Sequence, residues 1–384
     1  MSFNLKKLED LSDLAGKKTV VRVGFDVPVG AGRVLNDFRI KKTFPAMEFL
    51  ARSGARSILL SHRRDEKKDD TSSLLPVFEY LKNQTEFKIS FAKSLSEAKD
   101  KIRDLRNGQF ILVENIRREK GEKENSADLS KKIAELGHVF VNEAFSVSHR
   151  EHCSVVGVAR LMPSYAGPLF LEEVENLSRA FKPTRPFLFL MGGAKFKTKL
   201  HLVEKFMQTA DTVFVGGALA NDIFSAKGME VGLSPLAKEK VDLANVVKSS
   251  KVLVPKDVLV ENLEGRISVK KSENISKDET VRDVGPETLV FLRTLCEKAS
   301  FIIWNGPLGF YEKGFSGGTE KLAGILGRVA GDVMVGGGDT LAAVSSLGIH
   351  DKFSFVSTGG GAMLKFLSDE TLPGIKALEI NGNF

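Results

Sequence analysis

The chain has 384 residues, of which 42% are hydrophobic and 27% charged, and its formal net charge is +7. This length predicts two domains, and the composition excludes a fibrous or wholly disordered chain. The 2 cysteines are too few for a disulfide framework, and no apolar run approaches the ~18 residues of a membrane span. Because no charged-then-apolar leader opens the sequence, we expect a cytoplasmic protein without a membrane segment.

Short β-rich runs alternate with amphipathic helical stretches along the chain, which predicts an α/β fold with parallel sheets. The second half repeats this scheme from about residue 186. Helical periods such as KKTFPAMEFLARSG and SADLSKKIAELG separate the strands of the first half. Those strands are expected near 19–23, 57–61, 110–114 and 138–142.

Two further segments have their own signatures. Residues 171–183, LEEVENLSRAFKP, are acidic at the start, basic near the end and closed by Pro183, as at the start and stop of a helix. We expect a single helix there, between the two domains. Residues 261–283 are polar and charged, which predicts a surface excursion outside the core.

The excess of positive charge lies in the first part of the chain. Residues 1–160 carry 30 Lys and Arg against 23 Asp and Glu, whereas residues 161–384 carry 26 of each. This distribution suits a small, highly anionic substrate. The isoelectric point near 9.1 also permits nucleic-acid binding, but the single Trp, the 3 Tyr and the interspersed acidic residues argue against that function.

The residues that follow the strands differ between the two halves. Glycine follows the strands of the second half, in FLFLMGGAK, TVFVGGALA, DVMVGGGDT and FSFVSTGGGA. Arg or His follows the strands of the first half, at Arg39, His62, Arg117, His149 and Arg150. Open parallel sheets bind ligands beyond the carboxyl ends of their strands. The sequence therefore predicts two anion sites, one formed by cations and one by backbone amides, and a transfer between them.

The turn Gly336-Gly337-Gly338-Asp339-Thr340 is typical of a phosphate site, because glycine admits close approach and a helix N-terminus offers free amides. We expect Thr340 to cap the helix and Asp339 to supply an oxygen to a nucleotide-bound Mg²⁺. A simple strand–helix turn with an Asp cap is the alternative for one such motif. Lys195 and Lys199 would share a helix face beside phosphates, although such a pair can also be a solvated surface.

Two other features remain ambiguous. His149, His152 and Cys153 have the spacing of metal ligands, but no second cluster of Cys or His completes a structural zinc site. Asp26 could bind hydroxyl groups or cap a turn. Neither GxxxxGK[ST] nor GxGxxG is present, which argues against P-loop and dinucleotide folds.

The motifs VRVGFDVP, ENIR, VNEAFSVSHR, GGAKFKTK, WNGPLGFYE, GGGDT and VSTGGGA resemble, in this order, those of the phosphoglycerate kinase family, and they cover nearly the whole chain. The resemblance implies two Rossmann-like three-layer α/β domains, each with a mainly parallel sheet, joined by a hinge helix. Residues 1–168 would bind phosphoglycerate, 169–183 would form the hinge, 184–366 would bind the nucleotide, and 367–384 would pack back on the N-terminal domain.

The family's reaction is the reversible transfer of a phosphoryl group between 1,3-bisphosphoglycerate and ADP, giving 3-phosphoglycerate and ATP. The resemblance implies this reaction here, with Mg²⁺, in a monomer that closes around its hinge. Its partners would be small molecules, not nucleic acid or a membrane. In-line phosphoryl transfer needs positioning and charge neutralisation but no protein nucleophile. The alternative is a catalytically impaired relative that binds nucleotide in a regulatory role, and adenine and guanine nucleotides remain equally open.

The resemblance also implies the site residues. The phosphoglycerate would be held by Asp26, Arg39, His62, Arg117 and Arg150. The nucleotide would be held by Lys195, Lys199, Asn305, Glu312, Gly336, Gly337, Gly338, Asp339 and Thr340. Among these, Asp339 would ligate Mg²⁺ and Glu312 would contact the ribose. The catalytic residues would be Arg39, Lys199, Gly338 and Gly361.

The chain departs from the family pattern at a few positions. Where the family has Asp-Phe-Asn, this chain has Gly24-Phe25-Asp26, which predicts rearranged contacts to the glycerate hydroxyl. The family's His-Leu-Gly-Arg-Pro becomes His62-Arg63-Arg64-Asp65-Glu66, so Arg63 or Arg64 would replace the displaced arginine. In the nucleotide half, Thr198 replaces an aspartate and Ala218 replaces a glycine.

Overall fold

The computed structural model describes residues 3–64, 71–194, 196–238 and 241–380, without the side chains of 196–198 and 380. The chain divides into two compact units, Met1–Glu175 with Asp369–Phe384, and Asn176–Ser368. Each unit is described by itself below, as unit 1 and unit 2.

Unit 1 is built on a six-stranded sheet in the order β5-β6-β4-β1-β7-β8, in which every pair of neighbours is parallel. A two-stranded hairpin, β2 with β3, lies outside it. The strands are β1 Lys18–Arg22, β2 Val29–Gly30, β3 Arg33–Val34, β4 Arg56–Leu60, β5 Ile89–Ala92, β6 Phe110–Val113, β7 Val139–Asn142 and β8 Ser164–Ala166.

Helices cover both faces of this sheet, because its central strands are apolar on both sides. Val20 and Ile58 belong to one buried cluster, whereas their neighbours Val21 and Leu59 belong to another. The helices are α1 Phe38–Lys42, α2 Phe44–Arg52, α3 Leu75–Gln84, α4 Leu95–Lys101 and α5 Ala127–Ala134, and α6 Pro168–Ser178 begins in unit 1 and ends in unit 2. The predicted strands near 19–23, 57–61, 110–114 and 138–142 are present, shifted by at most a residue or two.

The strands β5 and β8 are absent from the sequence-based prediction. Both lie at the edges of the sheet, and β8 has only 3 residues. Edge strands are half-buried and lack the continuous apolar run that marks a central parallel strand.

The helix α6 begins three residues before the predicted start at 171. Pro168 stands at its first position, where a missing N–H costs nothing. The carboxylate of Glu143, which follows β7, accepts a hydrogen bond from the backbone N–H of Leu169 (3.1 Å). The cap therefore comes from a residue distant in sequence. After Ser178 the chain forms a 3₁₀ turn, Arg179–Phe181, just before Pro183.

Unit 2 contains a second six-stranded sheet, in the order β11-β10-β9-β15-β16-β17, again parallel throughout. A separate antiparallel sheet has the order β13-β12-β14. The strands are β9 Phe187–Met191, β10 Thr212–Val215, β11 Val252–Leu253, β12 Asp257–Asn262, β13 Ile267–Lys271, β14 Glu279–Val284, β15 Phe301–Asn305, β16 Asp332–Gly336 and β17 Phe355–Val356. The helices are α7 Phe196–Thr209, α8 Ala218–Ala226, α9 Ala244–Lys248, α10 Pro286–Lys298, α11 Gly317–Leu326, α12 Gly338–Ser346 and α13 Gly360–Asp369.

Most of residues 261–283, the segment predicted as a surface excursion, instead belongs to this small sheet. Its outer strand β13 is almost wholly exposed, as expected. Within that segment, however, Ile275 is buried in a small cluster with Ala220 and Phe224 of α8, and Val281 of β14 packs against it. The burial could not be predicted from the polar composition of the segment, because only alternate side chains of a half-buried strand are apolar.

The last helix, α14 Pro373–Ile380, belongs to unit 1. Its Gly374 N–H donates to the backbone oxygen of Ser148 (2.9 Å), and a Cβ at Gly374 would lie 2.7 Å from the Ser148 Cβ. Ala377 is part of a buried core cluster of unit 1. The α/β class with two mainly parallel sheets, predicted from the sequence, is confirmed.

Candidate functional site

Four neighbouring strands of unit 1 carry the predicted cationic side chains beyond their carboxyl ends. His62 follows β4 by two residues, and Arg117 lies in the turn after β6. Arg39 is on α1, which follows β1 and the hairpin, and the exposed Arg150 lies beyond β7. Since β6, β4, β1 and β7 are consecutive in the sheet, these residues belong to one edge, which we call the cationic edge.

Asp26 is the carboxylate at the centre of the cationic edge. Its Oδ1 accepts a hydrogen bond from the Arg64 backbone N–H (2.8 Å), and its Oδ2 lies 3.3 Å from Arg64 Nε. Arg39 Nη1 donates to the Asp26 backbone oxygen (2.8 Å). Arg63 instead donates to the Ser73 backbone oxygen. Of the two candidate replacements, Arg64 is therefore the one beside Asp26, while Asp65 lies outside the described residues.

His62 does not contribute the positive charge that its position suggested. It is 2% exposed, and burial together with Arg22 and Arg117 holds its pKa well below the usual range. Arg22 Nη2 lies 3.0 Å from His62 Nδ1. Because arginine can only donate, Nδ1 is the acceptor and the proton is on Nε2, which lies 3.6 Å from Asp26 Oδ2.

His149 and His152 are neutral at pH 7 for similar reasons. Burial and Arg150 lower the pKa of His149 to about 4. Burial and Arg117 lower the pKa of His152 to about 4. Among the side chains that the sequence predicted for this edge, the positive charge therefore comes from the arginines and not from the histidines, because arginine stays protonated even where burial lowers its pKa, as it does at Arg39.

A buried polar network behind the cationic edge escaped the sequence-based prediction. Arg22 is 1% exposed and donates through Nε to Ser154 Oγ (3.0 Å) and through Nη1 to the backbone oxygen of Val23 (2.6 Å). Ser154 Oγ donates in turn to Glu122. Burial lowers the pKa of Arg22 to about 10, against the effect of Glu122, and raises that of Glu122. In the sequence, this network was indicated only by Arg22, a single charged residue inside the apolar run TVVRVGF.

Gly24 lies two residues before Asp26 at the same edge. Its φ is not in the left-handed region, and a Cβ there would lie 3.2 Å from Ser146 Oγ. A larger side chain at this position would therefore crowd the turn after β7. The carboxylate of this chain is at position 26 and not at 24.

In unit 2, three glycine turns after β9, β10 and β15 pack on one another through bare backbone. The Gly193 N–H donates to the Pro307 oxygen (2.7 Å). A Cβ on Gly217 (φ +63°) would lie 2.6 Å from Gly193 N, and one on Gly306 (φ +94°) would lie 2.3 Å from the Gly192 oxygen. These glycines are required by the protein itself, whether or not a ligand is bound. We call this edge the amide edge.

The turn after β16 is different. Gly338 opens α12 with a φ outside the left-handed region, and a Cβ added to it would have no heavy atom within 4 Å. Thr340 does not cap α12, contrary to the prediction. The N-cap is Gly337, without a side-chain cap, and Thr340 Oγ1 accepts the Gly306 N–H (2.9 Å). The hydroxyl therefore ties two strand ends together.

The remaining predicted residues of the amide edge are distributed as follows. Lys199, on α7, donates through Nζ to the Gly192 oxygen (2.8 Å). Asn305 is 3% exposed at the end of β15, and Gly336 is buried at the end of β16. Gly361 lies in the first turn of α13. Lys195 and the side chain of Thr198 lie outside the described residues.

A cleft of about 270 Å³ opens beside these turns within unit 2. This volume is at the lower end of ligand pockets, and glycine backbone with apolar side chains forms most of the wall. Ala218 is on that wall without a positive φ, so its replacement of glycine introduces no strain. The lining residues are Gly193, Ala194, Gly217, Ala218, Asn221, Pro235, Val281, Arg282, Pro307, Leu308, Gly309, Phe310, Tyr311, Glu312 and Asp339.

Asp339 and Glu312 are the exposed carboxylates of this cleft. Asp339 lies in the first turn of α12, beside the helix N-terminus. Mg²⁺ in nucleotide sites typically takes only one or two carboxylates and receives the rest of its ligands from phosphates and water. Among the described residues no group of three or more His, Cys, Asp or Glu could hold a metal. A single Asp339 therefore fits a nucleotide-bound Mg²⁺ better than a site made by protein alone.

Comparison with known proteins gives a consistent result. Residues 8–370 match the family described as phosphoglycerate kinase. The phosphoglycerate kinase of Thermus thermophilus is 39% identical over 390 residues, which cover 98% of this chain and all of that protein. The structure of phosphoglycerate kinase from Coxiella burnetii has a TM-score of 0.80 at 35% identity and covers 97% of this chain and 98% of its own. That from Pyrococcus horikoshii OT3 has a TM-score of 0.86 at 28% identity, covering 98% and 99%.

Proposed function

This chain belongs to the phosphoglycerate kinase family, and we propose which of its residues carry out the family's reaction, phosphoryl transfer between 1,3-bisphosphoglycerate and ADP. The cationic edge of unit 1 binds the phosphoglycerate, and the amide edge of unit 2 binds the nucleotide. The observation that supports this assignment is that three predicted arginines follow the parallel strands β6, β1 and β7 of one sheet, while glycine turns end strands of the other.

On the cationic edge, Arg39, Arg117 and Arg150 neutralise the phosphate and carboxylate of the substrate. Guanidinium groups suit this role because they bind such anions in a bidentate manner and remain charged. His62 is neutral and acts as a hydrogen-bond donor through Nε2. Asp26 accepts the substrate hydroxyl, while Arg64 orients its carboxylate through two contacts.

On the amide edge, the N-terminus of α12 receives the phosphates, because its first N–H groups and its dipole favour anions. The proposed phosphate ligands are Lys195, Lys199, Asn305, Gly336, Gly337 and Gly338, while Thr340 holds the turn through Gly306. Glu312 contacts the ribose and Asp339 holds Mg²⁺. When bound, the metal neutralises phosphate charge and orients the phosphoryl group.

For the transfer itself, Arg39 and Lys199 stabilise the charge that spreads over the phosphoryl oxygens, and the N–H groups near Gly338 and Gly361 do the same at the turns after β16 and β17. No protein nucleophile is required, because the acyl phosphate and the nucleotide exchange the group directly. Closure of the two units around the linking helix would exclude water from the reaction.

The proposal extends to the setting of the enzyme. We propose that it acts as a cytoplasmic monomer on small molecules only. Within the described part of the chain, no helix is both long and apolar enough to cross a membrane.

A coupled assay with 3-phosphoglycerate and Mg-ATP tests the proposal. We expect saturable transfer of the phosphoryl group from ATP to 3-phosphoglycerate, measured as the 1,3-bisphosphoglycerate and ADP formed, and we expect it to be abolished when EDTA removes the metal. Calorimetric titration with Mg-ADP on the same protein serves as a control for folding and nucleotide binding. Intact nucleotide binding without any turnover would instead identify a binding relative that has lost catalysis.

A further inference from the structure

The wall of the unit 2 cleft contains one buried polar side chain whose bonding is incomplete. Most polar side chains of this wall are either exposed to solvent or paired with another side chain. Glu312 and Asp339 are exposed, and Arg282 is paired with Glu261 at 2.6 Å. Asn221, on α8, is 1% exposed. Among the described residues, nothing donates a hydrogen bond to its Oδ1.

The orientation of the Asn221 amide is set by its other end. Its Nδ2 donates to the backbone oxygen of Pro235 (3.2 Å), a residue of the same wall. A flipped amide would place two oxygens against each other, so Oδ1 is the acceptor left over. A buried acceptor without a donor costs about 1–3 kcal/mol. A bound ligand that offers a donor at this point would remove that cost.

The proposed nucleotide places its phosphates at α12 and its ribose at Glu312, which leaves the base for the remainder of the cleft. Leu308 and the partly exposed ring of Phe310 line this remainder and provide apolar contact for a purine. Purines differ in the group that they carry at ring position 6. Adenine has an amino group, which donates, whereas guanine and hypoxanthine have an oxygen, which accepts.

We propose that Asn221 Oδ1 accepts a hydrogen bond from the 6-amino group of adenine and thereby selects ADP over 6-oxopurine nucleotides. This inference rests on the proposed nucleotide site and specifies its base. Oδ1 is covered in this conformation, so adenine binding turns the side chain slightly towards the cleft. When a 6-oxopurine is bound, Asn221 Oδ1 faces another acceptor, so the cost of leaving this buried oxygen without a donor remains.

Equilibrium titration of the full chain with ADP and IDP tests this directly, since IDP replaces the 6-amino group with oxygen. We expect ADP to bind about tenfold more tightly, the effect of one hydrogen bond to an otherwise unpaired buried group. Asn221→Leu should weaken ADP to the level of IDP and leave IDP almost unchanged.

Steady-state kinetics provide a second readout. The Asn221→Leu variant should show a raised KM for ADP with little change in kcat, because the base is remote from the transferred group. Equal affinity of the wild-type chain for ADP and IDP would overturn the inference even if the variant did not fold. Equal weakening of both nucleotides by Asn221→Leu would also overturn it. Failure of every nucleoside diphosphate to bind would instead refute the nucleotide site itself.

Discussion

The cationic edge of unit 1 and the amide edge of unit 2 both lie beyond the carboxyl ends of parallel strands. The first is formed by charged side chains, whereas the second is formed by the backbone of glycine turns. The cationic edge depends on the charge of its arginine side chains. The buried Arg22 lies behind it and contacts His62, and Asp26 adds one negative charge. The second depends on backbone, with glycine turns whose atoms leave no room for a Cβ. A charged site can be retuned by single substitutions, whereas a backbone site is constrained by its own packing. This is consistent with most departures from the family pattern lying at the cationic edge.

The largest effect is expected at Arg39. Arg39→Ala should lower kcat by about 10²- to 10³-fold, because a charge aimed at the developing transition state is lost. Steady-state kinetics with 3-phosphoglycerate and Mg-ATP measure this. Arg33→Ala, which removes an exposed arginine of the same unit, should leave kcat unchanged. An equal kcat in the Arg39 variant would remove Arg39 from the catalytic residues.

At the amide edge, Gly306→Ala should destabilise the protein by about 3 kcal/mol or more, since a left-handed φ is strained for alanine and overpacking adds to the strain. The matched control is Gly314→Ala, whose φ of +85° is similar to the +94° of Gly306 but whose Cβ would meet nothing within 4 Å. The control should lose only about 1 kcal/mol. Urea unfolding followed by the fluorescence of Trp304, the single tryptophan, measures both. Equal losses would show that the close packing of the turns is unimportant.

Buried titratable groups in the two units should contribute to the pH dependence of stability with opposite signs. Burial raises the pKa of Asp283 in unit 2 from 3.8 to about 6. The folded state then holds more protons between these values, so the contribution of Asp283 to the stability of unit 2 should fall by about 2 kcal/mol as the pH rises from 4 to 6. Urea unfolding monitored at Trp304 measures this slope, and Asp283→Asn should abolish it.

The histidines of unit 1 change the stability in the opposite direction as the pH rises. Burial lowers the pKa values of His149 and His152 to about 4, so the unfolded state binds more protons between pH 4 and 6.5. The two histidines therefore contribute stability to unit 1 as the pH rises through that window, whereas Glu122 and Glu143, whose pKa values burial raises, contribute with the opposite sign. Hydrogen exchange of β1 peptides, corrected for the intrinsic rate, tests this. The same pH dependence in a variant with His149→Gln and His152→Gln would contradict the assignment to the histidines.

Gly338→Ala separates folding from binding at the amide edge. The open space around Gly338 should accept a methyl group without loss of stability, yet that methyl would stand where phosphate approaches the helix. We expect the KM for ATP to rise about tenfold, comparable to the loss of one or two hydrogen bonds. Gly324→Ala, on α11 with equally open surroundings, should leave the KM unchanged. An unaltered KM in the Gly338 variant would place the phosphates elsewhere.

The smallest effect concerns Asp26. Asp26→Asn keeps a polar group for the substrate hydroxyl and removes a negative charge from an anion site. The KM for 3-phosphoglycerate should therefore fall by about two- to fivefold, the range of a screened charge pair. Asp13→Asn removes the same charge from an exposed position, with 78% of its side chain accessible, and should have no effect. A raised KM in the Asp26 variant would show that the substrate hydroxyl needs the charged carboxylate as its acceptor, and that an amide oxygen at position 26 does not replace it.

Most of the scaffold follows from local sequence. The central strands are continuous apolar runs, and their turn residues indicate which end of each sheet carries a site. The edge strands β5 and β8 were missed because half-burial leaves no such run. Residues 261–283, which include β13 and most of β14, were predicted as a surface excursion because only alternate side chains of a half-buried strand are apolar.

The predicted site residues could be located by motif, but their chemical states could not. Periodicity gives no indication that His62 is neutral, since its pKa depends on burial and on Arg22, which is 40 residues away in the chain. Nor does it indicate that Thr340 bonds to Gly306 instead of capping its own helix. The Glu143 carboxylate that caps α6 is similarly remote.

The sequence by itself determined which residue types follow each strand, and hence that one sheet edge would attract anions through arginine and the other through backbone amides. Only the tertiary structure decided which of those residues are charged, which glycines are required for packing and which polar atom of the cleft is left for a ligand. The physical reason is that strand period and turn chemistry are local properties of the chain. Desolvation, close backbone contact and hydrogen-bond completeness depend on neighbours that folding brings together from distant positions.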